Sequence, residues 1–209
     1  MSSLAHPDDN CLAEALPRYD QVLVDVGCGD GKYTLRLAIR HPASLVIGVD
    51  AEIARLGRTL RVAGKRKISN LLFLRWALEN PLPVLGERAD EMHVIMPWGS
   101  LLDGVLGAAP IVLANLLSLG RRNAQLRTVI NCRPWDAPAA LDKQLASTPE
   151  PSPELLANLR QQYADSGWVM QAPRWLTDQQ AHQLGSSWIS RVVSTRASRL
   201  LLLPATRRA

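Results

Sequence analysis

Cysteine is scarce in this sequence, and the positions of the cysteines argue against any site built from them. The three cysteines are Cys11, Cys28 and Cys132, and none belongs to a CxxC pair. Disulfide frameworks use an even number of cysteines, and structural zinc sites use closely spaced pairs. The pattern therefore predicts neither a disulfide framework nor a metal site, and it favours a reducing cytoplasm.

Long apolar runs are also missing. No run approaches the roughly 18 residues that a membrane-spanning helix needs. The N-terminus MSSLAHPDDN has neither the basic start nor the apolar core of a secretion signal. These absences predict a cytoplasmic protein without a membrane segment. A chain of 209 residues, 47% hydrophobic and 21% charged, is long enough for one α/β domain with a sizeable core.

Basic charge is present but concentrated in two segments. Residues 51–67 carry six basic side chains and one acidic side chain, and residues 188–209 carry five arginines and no acid. Because the net charge of the whole chain is only +5, the remainder is net negative. This segregation favours a polyanionic partner such as a nucleic acid. Either segment alone could equally be a solvated, arginine-rich face.

Short apolar runs rich in β-branched residues alternate with segments of helical spacing. Buried strands are predicted at 21–27, 44–50, 70–76, 92–96, 126–131, 168–176 and 198–205. Helices are predicted at 32–40, 51–63, 110–120 and 153–167. The alternation predicts an α/β fold with a seven-stranded, mostly parallel sheet and helices on both faces, since parallel strands need crossovers that cover the sheet.

No repeat and no domain boundary is visible along the chain. We therefore predict a single domain over residues 1–209, with an N-terminal extension at 1–18. Insertions are predicted at 134–153, which is rich in Pro, Ala and Ser, and at 176–190. Both insertions are expected near the target site.

A glycine-rich turn follows the first predicted strand. The stretch VDVGCGDG (24–31) lies between a strand and a helix, where glycine lets the backbone approach a ligand closely because it has no Cβ. The second strand ends in Asp50, about 20 residues later, where a carboxylate can accept hydrogen bonds from ribose hydroxyls. The GxGxxG pattern of dinucleotide-binding proteins is absent, and the stretch is more similar to motif I of S-adenosylmethionine-dependent methyltransferases. A purely structural glycine loop is the alternative.

A tryptophan follows a proline directly at the end of the fourth predicted strand, in IMPWGSLL (95–102). In class I methyltransferases this segment helps to form the target pocket. Enzymes that methylate the exocyclic amine of adenine tend to carry Asp/Asn-Pro-Pro-Tyr/Phe there, and this sequence lacks the amide or carboxylate. A ring nitrogen such as adenine N1 needs alignment and a stacking surface but no general base, because its lone pair lies in the ring plane. Trp98 is predicted to supply that surface.

A second tryptophan, Trp188, lies in the polar stretch GSSWISR (185–191). Stacking is worth roughly 1–3 kcal/mol per base, and extruding a base from a helix costs a few kcal/mol, so two rings could about offset the extrusion. Core packing is the alternative for Trp188. Trp76, in RWALEN (75–80), could lie on a cofactor ring but is predicted to pack in the core. The same prediction holds for Trp135, Trp168 and Trp175.

The sequence resembles the aminoglycoside-resistance 16S rRNA (adenine(1408)-N1)-methyltransferases of the kanamycin–apramycin resistance type. The resemblance is carried by YDQVLVDVGCGDGK, NLLFLRWALE, MPWGSLLDGVLG and SSWISRVVSTRASR, which span most of residues 19–203 in order. It implies a class I S-adenosylmethionine-dependent methyltransferase fold, which is Rossmann-like, and S-adenosylmethionine as methyl donor. It also implies N1 of adenine 1408 in the small (30S) ribosomal subunit as target, with 16S rRNA as partner and a monomeric enzyme. Methylation there blocks certain aminoglycosides.

The resemblance also implies roles for individual residues. The cofactor site is expected to include Asp25, Gly27, Gly29, Asp30, Asp50, Leu78, Glu79, Met96, Trp98, Ser100, Ser186 and Trp188. The flipped adenine is expected between Trp98 and Trp188. Contacts to rRNA are expected from Lys65, Arg66, Lys67, Arg191 and Arg196.

Three features depart from the family pattern. Cys28 stands where relatives often have Thr, Ser198 replaces a basic residue seen in some relatives, and residues 1–18 lack a lysine-rich hairpin. Part of the rRNA docking surface is therefore expected to differ. A small-molecule methyltransferase and an rRNA-binding protein with a vestigial cofactor fold remain as alternatives, which methyl transfer to isolated small subunits would separate.

Overall fold

The computed structural model describes residues 9–107, 109–136, 148–185 and 199–209, and within these ranges helices flank one eight-stranded sheet. The strands are β1 (Val22–Val26), β2 (Leu45–Asp50), β3 (Leu71–Arg75), β4 (Ala89–Ile95), β5 (Gly120–Asn131), β6 (Trp168–Met170), β7 (Arg174–Trp175) and β8 (Leu200–Arg207). The helices are α1 (Asp9–Ala15), α2 (Lys32–Arg40), α3 (Gly57–Lys65), α4 (Ser100–Val105), α5 (Pro110–Leu119), α6 (Pro153–Asp165) and α7 (Asp178–Leu184).

The sheet is mixed but mostly parallel. Its order is β3-β2-β1-β4-β5-β8-β6, and β7 also pairs with β8. Strands β1 to β5 are parallel to one another, whereas β8 is antiparallel to β5, β6 and β7. The parallel strands therefore all end at one edge of the sheet, called here the carboxyl edge, and begin at the opposite amino edge. This confirms the α/β class and the mostly parallel sheet.

Alternate residues of the central strands are buried on opposite faces of the sheet. All of β1 is buried. Leu23 packs in a cluster with side chains of α2 and α3, whereas Val24 packs in a larger cluster with side chains of α4, α5 and α6. Burial on both faces is characteristic of parallel strands that helices cover on both sides.

Several boundaries differ from the sequence-based prediction. β5 begins at Gly120 rather than at 126, because Gly120 already pairs with Ala89 before a register shift. The one strand predicted at 168–176 is two, because Pro173 lies between β6 and β7 and a proline has no N–H for the ladder. Three helices, α1, α4 and α7, lie outside the predicted helices. Each has at most seven residues, too few for a clear helical pattern.

Two of the described C-terminal arginines, Arg199 and Arg207, lie at opposite ends of the sheet. β8 runs antiparallel to β5, so Arg199 lies at the carboxyl edge and Arg207 at the amino edge. Arg207 forms an ion pair with Glu87 at 2.7 Å and donates a hydrogen bond to the carbonyl of Leu117 at 3.2 Å. Arg207 therefore ties elements of the amino edge together, and this part of the basic segment is structural.

The tryptophans predicted to pack in the core behave differently from one another. Trp168 is fully buried and donates a hydrogen bond to the carbonyl of Leu113 at 3.2 Å. Trp76 is also buried, and Trp135 is partly buried against the core. The prediction is wrong for Trp175, which is 53% exposed because the short strand β7 pairs only with β8 in the described part of the sheet.

The contrast between Trp168 and Trp175 gives a test of the core. Replacing a buried tryptophan by alanine costs about 3–5 kcal/mol of unfolding free energy, because the packing around the ring disappears and a cavity is left. We expect this loss for Trp168→Ala and less than about 1 kcal/mol for Trp175→Ala, as for surface substitutions in general. Denaturant unfolding of both variants checks this. Equal losses would contradict the assignment of Trp168 to the core.

Candidate active site

A cavity of about 690 Å³ opens at the carboxyl edge of the sheet. Its walls come from the ends of β1 to β5 and from the segments that follow them. Ligand pockets commonly have volumes of about 300–1,000 Å³, and in open α/β sheets they lie outside the carboxyl ends of the strands. The cavity therefore has both the size and the position of a ligand site.

The glycine-rich loop after β1 forms the floor of this cavity. Gly27, Gly29 and Gly31 all have positive φ, which side chains with a Cβ rarely adopt. A Cβ on Gly27 would lie 2.7 Å from the side chain of Leu101, whereas one on Gly29 would have no atom within 4 Å. Gly27 thus permits close packing of α4 on the loop, and Gly29 leaves open space above it.

Asp50, at the end of β2, holds the loop in this conformation. Its carboxylate oxygens accept hydrogen bonds from the backbone N–H of Gly29 at 2.7 Å and of Glu52 at 2.9 Å. A carboxylate oxygen has two lone-pair sites, so each can still accept a further hydrogen bond from a ligand. Asp50 can therefore serve the loop and a ligand together.

Asp25 lies beneath the loop, on β1, and is 2% exposed. The hydroxyl of Thr34 donates a hydrogen bond to its Oδ2 at 2.6 Å. Burial raises the pKa of the Asp25 carboxyl to about 7, and the negative charges of Asp50 and Asp30 act in the same direction, while the bond from Thr34 lowers it. Asp25 is thus a buried carboxyl group whose protonation depends on its burial, on the hydrogen bond from Thr34 and on the nearby charges.

The segment after β3 forms one side wall. Trp76 folds back on this segment and donates a hydrogen bond from its indole N–H to the carbonyl of Asn80 at 2.9 Å. The buried side chain of Leu78 adds apolar surface. Glu79 lies next to Ser100 of α4, and a hydrogen bond from the Ser100 hydroxyl holds the pKa of Glu79 below its usual range. This contact joins two walls of the cavity.

The segment after β4 is a strained turn that places an indole at the opening. Met96 has a φ of +54° and Gly99 a φ of +58°, and the backbone N–H of Met96 still donates to the carbonyl of Val129 at 2.7 Å. Pro97 is buried between them. Trp98 is 48% exposed and lines the cavity. Non-glycine residues with positive φ are uncommon and cluster at functional sites, so this turn is the clearest local sign of a working site.

Ten of the residues predicted for the cofactor site line this one cavity, although they come from four separate parts of the sequence. They are Asp25, Gly27, Gly29, Asp30, Asp50, Leu78, Glu79, Met96, Trp98 and Ser100. Ser186, Trp188, Arg191 and Arg196 lie outside the described residues. Lys65, Arg66 and Lys67 are exposed and lie near the amino edge, away from the cavity, because they follow α3 just before β3 begins.

Several residues line the cavity that the sequence interpretation did not select. Tyr33 places its hydroxyl 2.6 Å from Nδ1 of the buried His93, and Arg55 brings a positive charge to the rim. Asn131, the last residue of β5, and Trp135, in the turn after it, also line the cavity. Asn131 could have been identified from the sequence, since it ends a predicted parallel strand and such strand ends meet at one edge of the sheet. Tyr33 and Trp135 required the packing of α2 and of the turn at Arg133–Asp136.

Neither a membrane segment nor a metal cluster is found in the part of the chain that the structure describes. No helix there is both long and apolar enough to cross a bilayer. No group of three or more His, Cys, Asp or Glu side chains there could hold a metal ion.

Comparison with known protein sequences points to one family. A sequence model described as "NpmA: 16S rRNA (adenine(1408)-N(1))-methyltransferase" matches residues 2–207. A 16S rRNA (adenine(1408)-N(1))-methyltransferase of Streptoalloteichus hindustanus is 38% identical over 184 residues, which cover 86% of this chain and 83% of that protein. The Escherichia coli protein of the same name is 25% identical over 189 residues, which cover 88% of this chain and 86% of that protein.

Solved structures show the same similarity. A mutant 16S rRNA (adenine(1408)-N(1))-methyltransferase from Catenulisporales acidiphilia, crystallised with cosubstrate SAM, has a TM-score of 0.85 and 32% identity. That match covers 97% of this chain and 92% of the other. The 16S rRNA methyltransferase KamB has a TM-score of 0.84 and 32% identity, covering 97% of this chain and 94% of the other.

The raised pKa of Asp25 predicts a pH-dependent stability. The unfolded carboxyl has a pKa of about 3.9, whereas the folded one has a pKa of about 7. The folded state therefore binds the proton more tightly, and the contribution of Asp25 to the free energy of unfolding is greatest below about pH 4. This stabilisation is lost as the pH rises towards 7. Asp25→Asn cannot ionise and keeps an acceptor for Thr34. We expect the variant to melt several degrees above the ligand-free wild type at pH 8 and to lose most of that advantage near pH 5.

Thermal melts of both proteins at the two pH values provide the measurement. The wild type is its own control at pH 5, where Asp25 is largely protonated in the folded state. A difference in melting temperature that stays constant between pH 5 and pH 8 would show that Asp25 ionises normally.

Proposed function

The chain belongs to the 16S rRNA (adenine(1408)-N(1))-methyltransferase family, and we propose that it methylates its adenine while the base stacks on Trp98 at the mouth of the cavity. It is an S-adenosylmethionine-dependent enzyme, and its substrate class is 16S rRNA. The proposal concerns how this chain's residues hold the two substrates. We further propose that Trp188 is the second stacking ring. The form of rRNA that the enzyme binds is proposed to be the assembled small ribosomal subunit.

The cavity has the properties that S-adenosylmethionine needs. Open space above Gly29 leaves room for a ligand against the backbone, and Asp50 can accept hydrogen bonds from ribose hydroxyls beside it. The lining includes four carboxyl side chains and one arginine, which favours a cationic ligand: Asp25, Asp30, Asp50, Glu79 and Arg55. When bound, S-adenosylmethionine supplies a methyl group on a positively charged sulfonium.

The observation that carries the proposal is the exposure of Trp98 on a strained turn. An indole that is 48% exposed at the opening of an acidic cavity contributes little to the core. Its flat surface suits a nucleobase, since aromatic–base stacking is worth roughly 1–3 kcal/mol per base. The buried Pro97 fixes the backbone before the ring, and Met96 and Gly99 turn the chain so that the ring faces outward.

The proposed reaction needs no general base from the protein. N1 of adenine has a lone pair in the ring plane and carries no proton at neutral pH. Transfer of the methyl group would form an N1–CH3 bond, break the S–CH3 bond and leave neutral S-adenosylhomocysteine. The contribution of Trp98 is therefore to hold the base plane so that N1 points into the cavity, which raises the rate through alignment. Asp25, Asp30 and Asp50 are proposed to act by binding and orienting, and no residue is assigned a proton transfer.

Basic side chains outside the cavity are proposed to dock the rRNA. Exposed basic side chains just before α3, along it and after it run from the rim of the cavity to the amino edge: Arg55, Arg58, Arg61, Lys65, Arg66 and Lys67. Contacts from such side chains to phosphates position an RNA without reading its sequence. Folded rRNA presents a large phosphate surface, which supports the assembled subunit as the substrate. A monomeric enzyme and a cytoplasmic location are parts of the same proposal.

The proposed product accounts for antibiotic resistance. A methyl group on N1 of adenine 1408 adds bulk and positive charge to the base edge that certain aminoglycosides contact in the decoding site. A small-molecule methyltransferase would not need the exposed basic side chains along α3. Methyl transfer from labelled S-adenosylmethionine to isolated small subunits, followed by mapping of the methylated base, tests the proposed function directly.

The Asp50 carboxylate gives a test of the cofactor assignment. Hydrogen bonds to a charged group are worth roughly 1.5–3 kcal/mol, so Asp50→Ala should weaken S-adenosylmethionine binding about tenfold to a hundredfold. Asp50→Asn, which keeps one carbonyl acceptor, should lose less. Titration calorimetry measures both. An unchanged affinity in Asp50→Ala would remove Asp50 from the cofactor site.

The stacking role of Trp98 predicts a graded loss of activity. Trp98→Phe should keep more methylation than Trp98→Ala, because phenylalanine retains an aromatic face. Loss of the ring should lower the rate by up to about a hundredfold, from stacking worth roughly 1–3 kcal/mol. Methylation and melting temperature should be measured on the same samples. Both variants should melt like the wild type, since the side chain is half exposed.

Two outcomes would count against the role of Trp98. A folded Trp98→Ala protein that methylates at the full rate would exclude stacking on this ring. A large fall in its melting temperature would assign Trp98 to the core instead. The core variant Trp168→Ala provides the comparison for such a fall.

A further inference from the structure

A second exposed indole lies at the carboxyl edge, apart from the cavity lining. Trp175 on β7 is 53% exposed, slightly more than Trp98 at 48%. Its neighbour differs from it: Leu176 is buried, and the N–H of Leu176 donates to the carbonyl of Leu200 at 2.9 Å. The backbone is therefore held in place while the indole projects from the protein.

The strand register locates Trp175 relative to the cavity. Trp175 pairs with Leu201 of β8, and Leu201 pairs with Ile130 of β5, which lines the cavity. Neighbouring strands lie about 4.8 Å apart, so the backbone of Trp175 is roughly 10 Å from that of the lining residue. An RNA strand that enters the cavity with one base would pass within reach of this indole.

An arginine reinforces the same surface. The guanidinium carbon of Arg199 lies 5.4 Å from the centre of the Trp175 ring, which is within the range of a cation–π contact. The carbonyl of Arg199 accepts a hydrogen bond from the N–H of Cys132 at 2.8 Å, so its backbone is tied to the end of β5. Arg174, also exposed, precedes the indole. The contact between the indole and Arg199 combines aromatic and positive surface at this end of the sheet.

We propose that Trp175 and Arg199 form a stacking platform for an unpaired rRNA nucleotide near the target adenine, distinct from the ring that holds the adenine itself. The inference rests on the proposed function, because it assumes that rRNA approaches the carboxyl edge. Single-stranded nucleic acid binds to aromatic faces next to basic groups, with stacking that tolerates any base. The platform therefore contributes affinity for the rRNA but does not take part in the reaction.

The chemistry favours RNA over other occupants of this surface. Arginine and tryptophan side by side match a base and its phosphate, whereas a hydrophobic protein contact would be expected to involve a wider apolar patch. Val169 of β6 is also strongly exposed, but it pairs with Thr206, near the opposite end of β8. Among the residues that the structure describes, no other large apolar side chain of β7 or β8 is strongly exposed.

The test separates affinity from turnover. Binding of the full-length protein to isolated 30S subunits is measured over a series of salt concentrations, together with methylation kinetics. Trp175→Ala should weaken subunit binding about fivefold to tenfold, the lower part of the range for one stacked base, and Trp175→Phe should stay within about twofold of the wild type. Turnover at saturating subunit should not change in either variant. Trp98→Ala should show the opposite pattern, with lower turnover and retained binding.

Salt dependence distinguishes stacking from phosphate contact. Trp175→Ala should leave the slope of log affinity against log salt unchanged, since an indole neutralises no phosphate. Replacement of Lys65, Arg66 and Lys67 together by Glu should flatten the slope by about one unit for each phosphate that is no longer neutralised. Val169→Ala is the matched control, because Val169 is similarly exposed on a short strand that also pairs with β8. It should behave like the wild type.

Several results would overturn the platform. They are unchanged subunit affinity in Trp175→Ala, an equal loss in Val169→Ala, or lower turnover at saturation with unchanged affinity. Sedimentation that shows a wild-type dimer dispersed by Trp175→Ala would instead assign the surface to self-association. A fall in melting temperature of Trp175→Ala as large as that of Trp168→Ala would assign the indole to the core. Failure of the proposed function would look different, because the wild type itself would not methylate the subunits.

Discussion

The shared direction and register of β1, β2, β4 and β5 is the constraint on which the whole site depends. Val26 of β1 pairs with Val49 and with Val94, and Ile95 pairs with Val129 of β5. These pairings bring four strand ends to one edge, so that the segments following them meet. The glycine loop, Asp50, the turn around Trp98 and Asn131 are neighbours for this reason alone. A slip of one residue would reverse the face of every side chain in a strand.

Within that frame, hydrogen bonds hold the loops that the strands deliver. The Asp50 carboxylate and the Gly29 N–H join the end of β2 to the loop after β1. The contact between Glu79 and Ser100 joins the segment after β3 to α4. The side chain of Leu101 packs against Gly27. These contacts lie within the protein itself, so they restrict loop motion that ligand binding would otherwise have to restrict at an entropic cost.

The tryptophans show how one residue type takes different roles in one chain. Trp168 packs in the core and donates a hydrogen bond to a backbone carbonyl. Trp98 projects from a strained turn, and Trp175 projects from the short strand β7. Their sequence contexts separate them only partly. Pro97 and Gly99 mark Trp98 as unusual, whereas Trp168 and Trp175 lie in one apolar run that predicts the same role for both. The break at Pro173 and the pairing of β6 and β7 with β8 leave Trp168 buried in the core and Trp175 exposed at the surface.

Much of the fold and the floor of the site could be predicted from local sequence, because their signals are local. Buried β-branched runs produce strands, VDVGCGDG forms a turn that only glycine accommodates well, and Asp50 ends its strand. The extent of β5, the division of β6 from β7, the role of Arg207 and the approach of Tyr33 and Trp135 to the cavity could not be read in this way. Each depends on a partner far away in the sequence, such as β8, Glu87 or His93. The sequence by itself determined most of the strands, the longer helices and the glycine turn, because their signals are local. Tertiary structure alone decided which strand ends meet and which rings stay exposed, because only packing sets those distances.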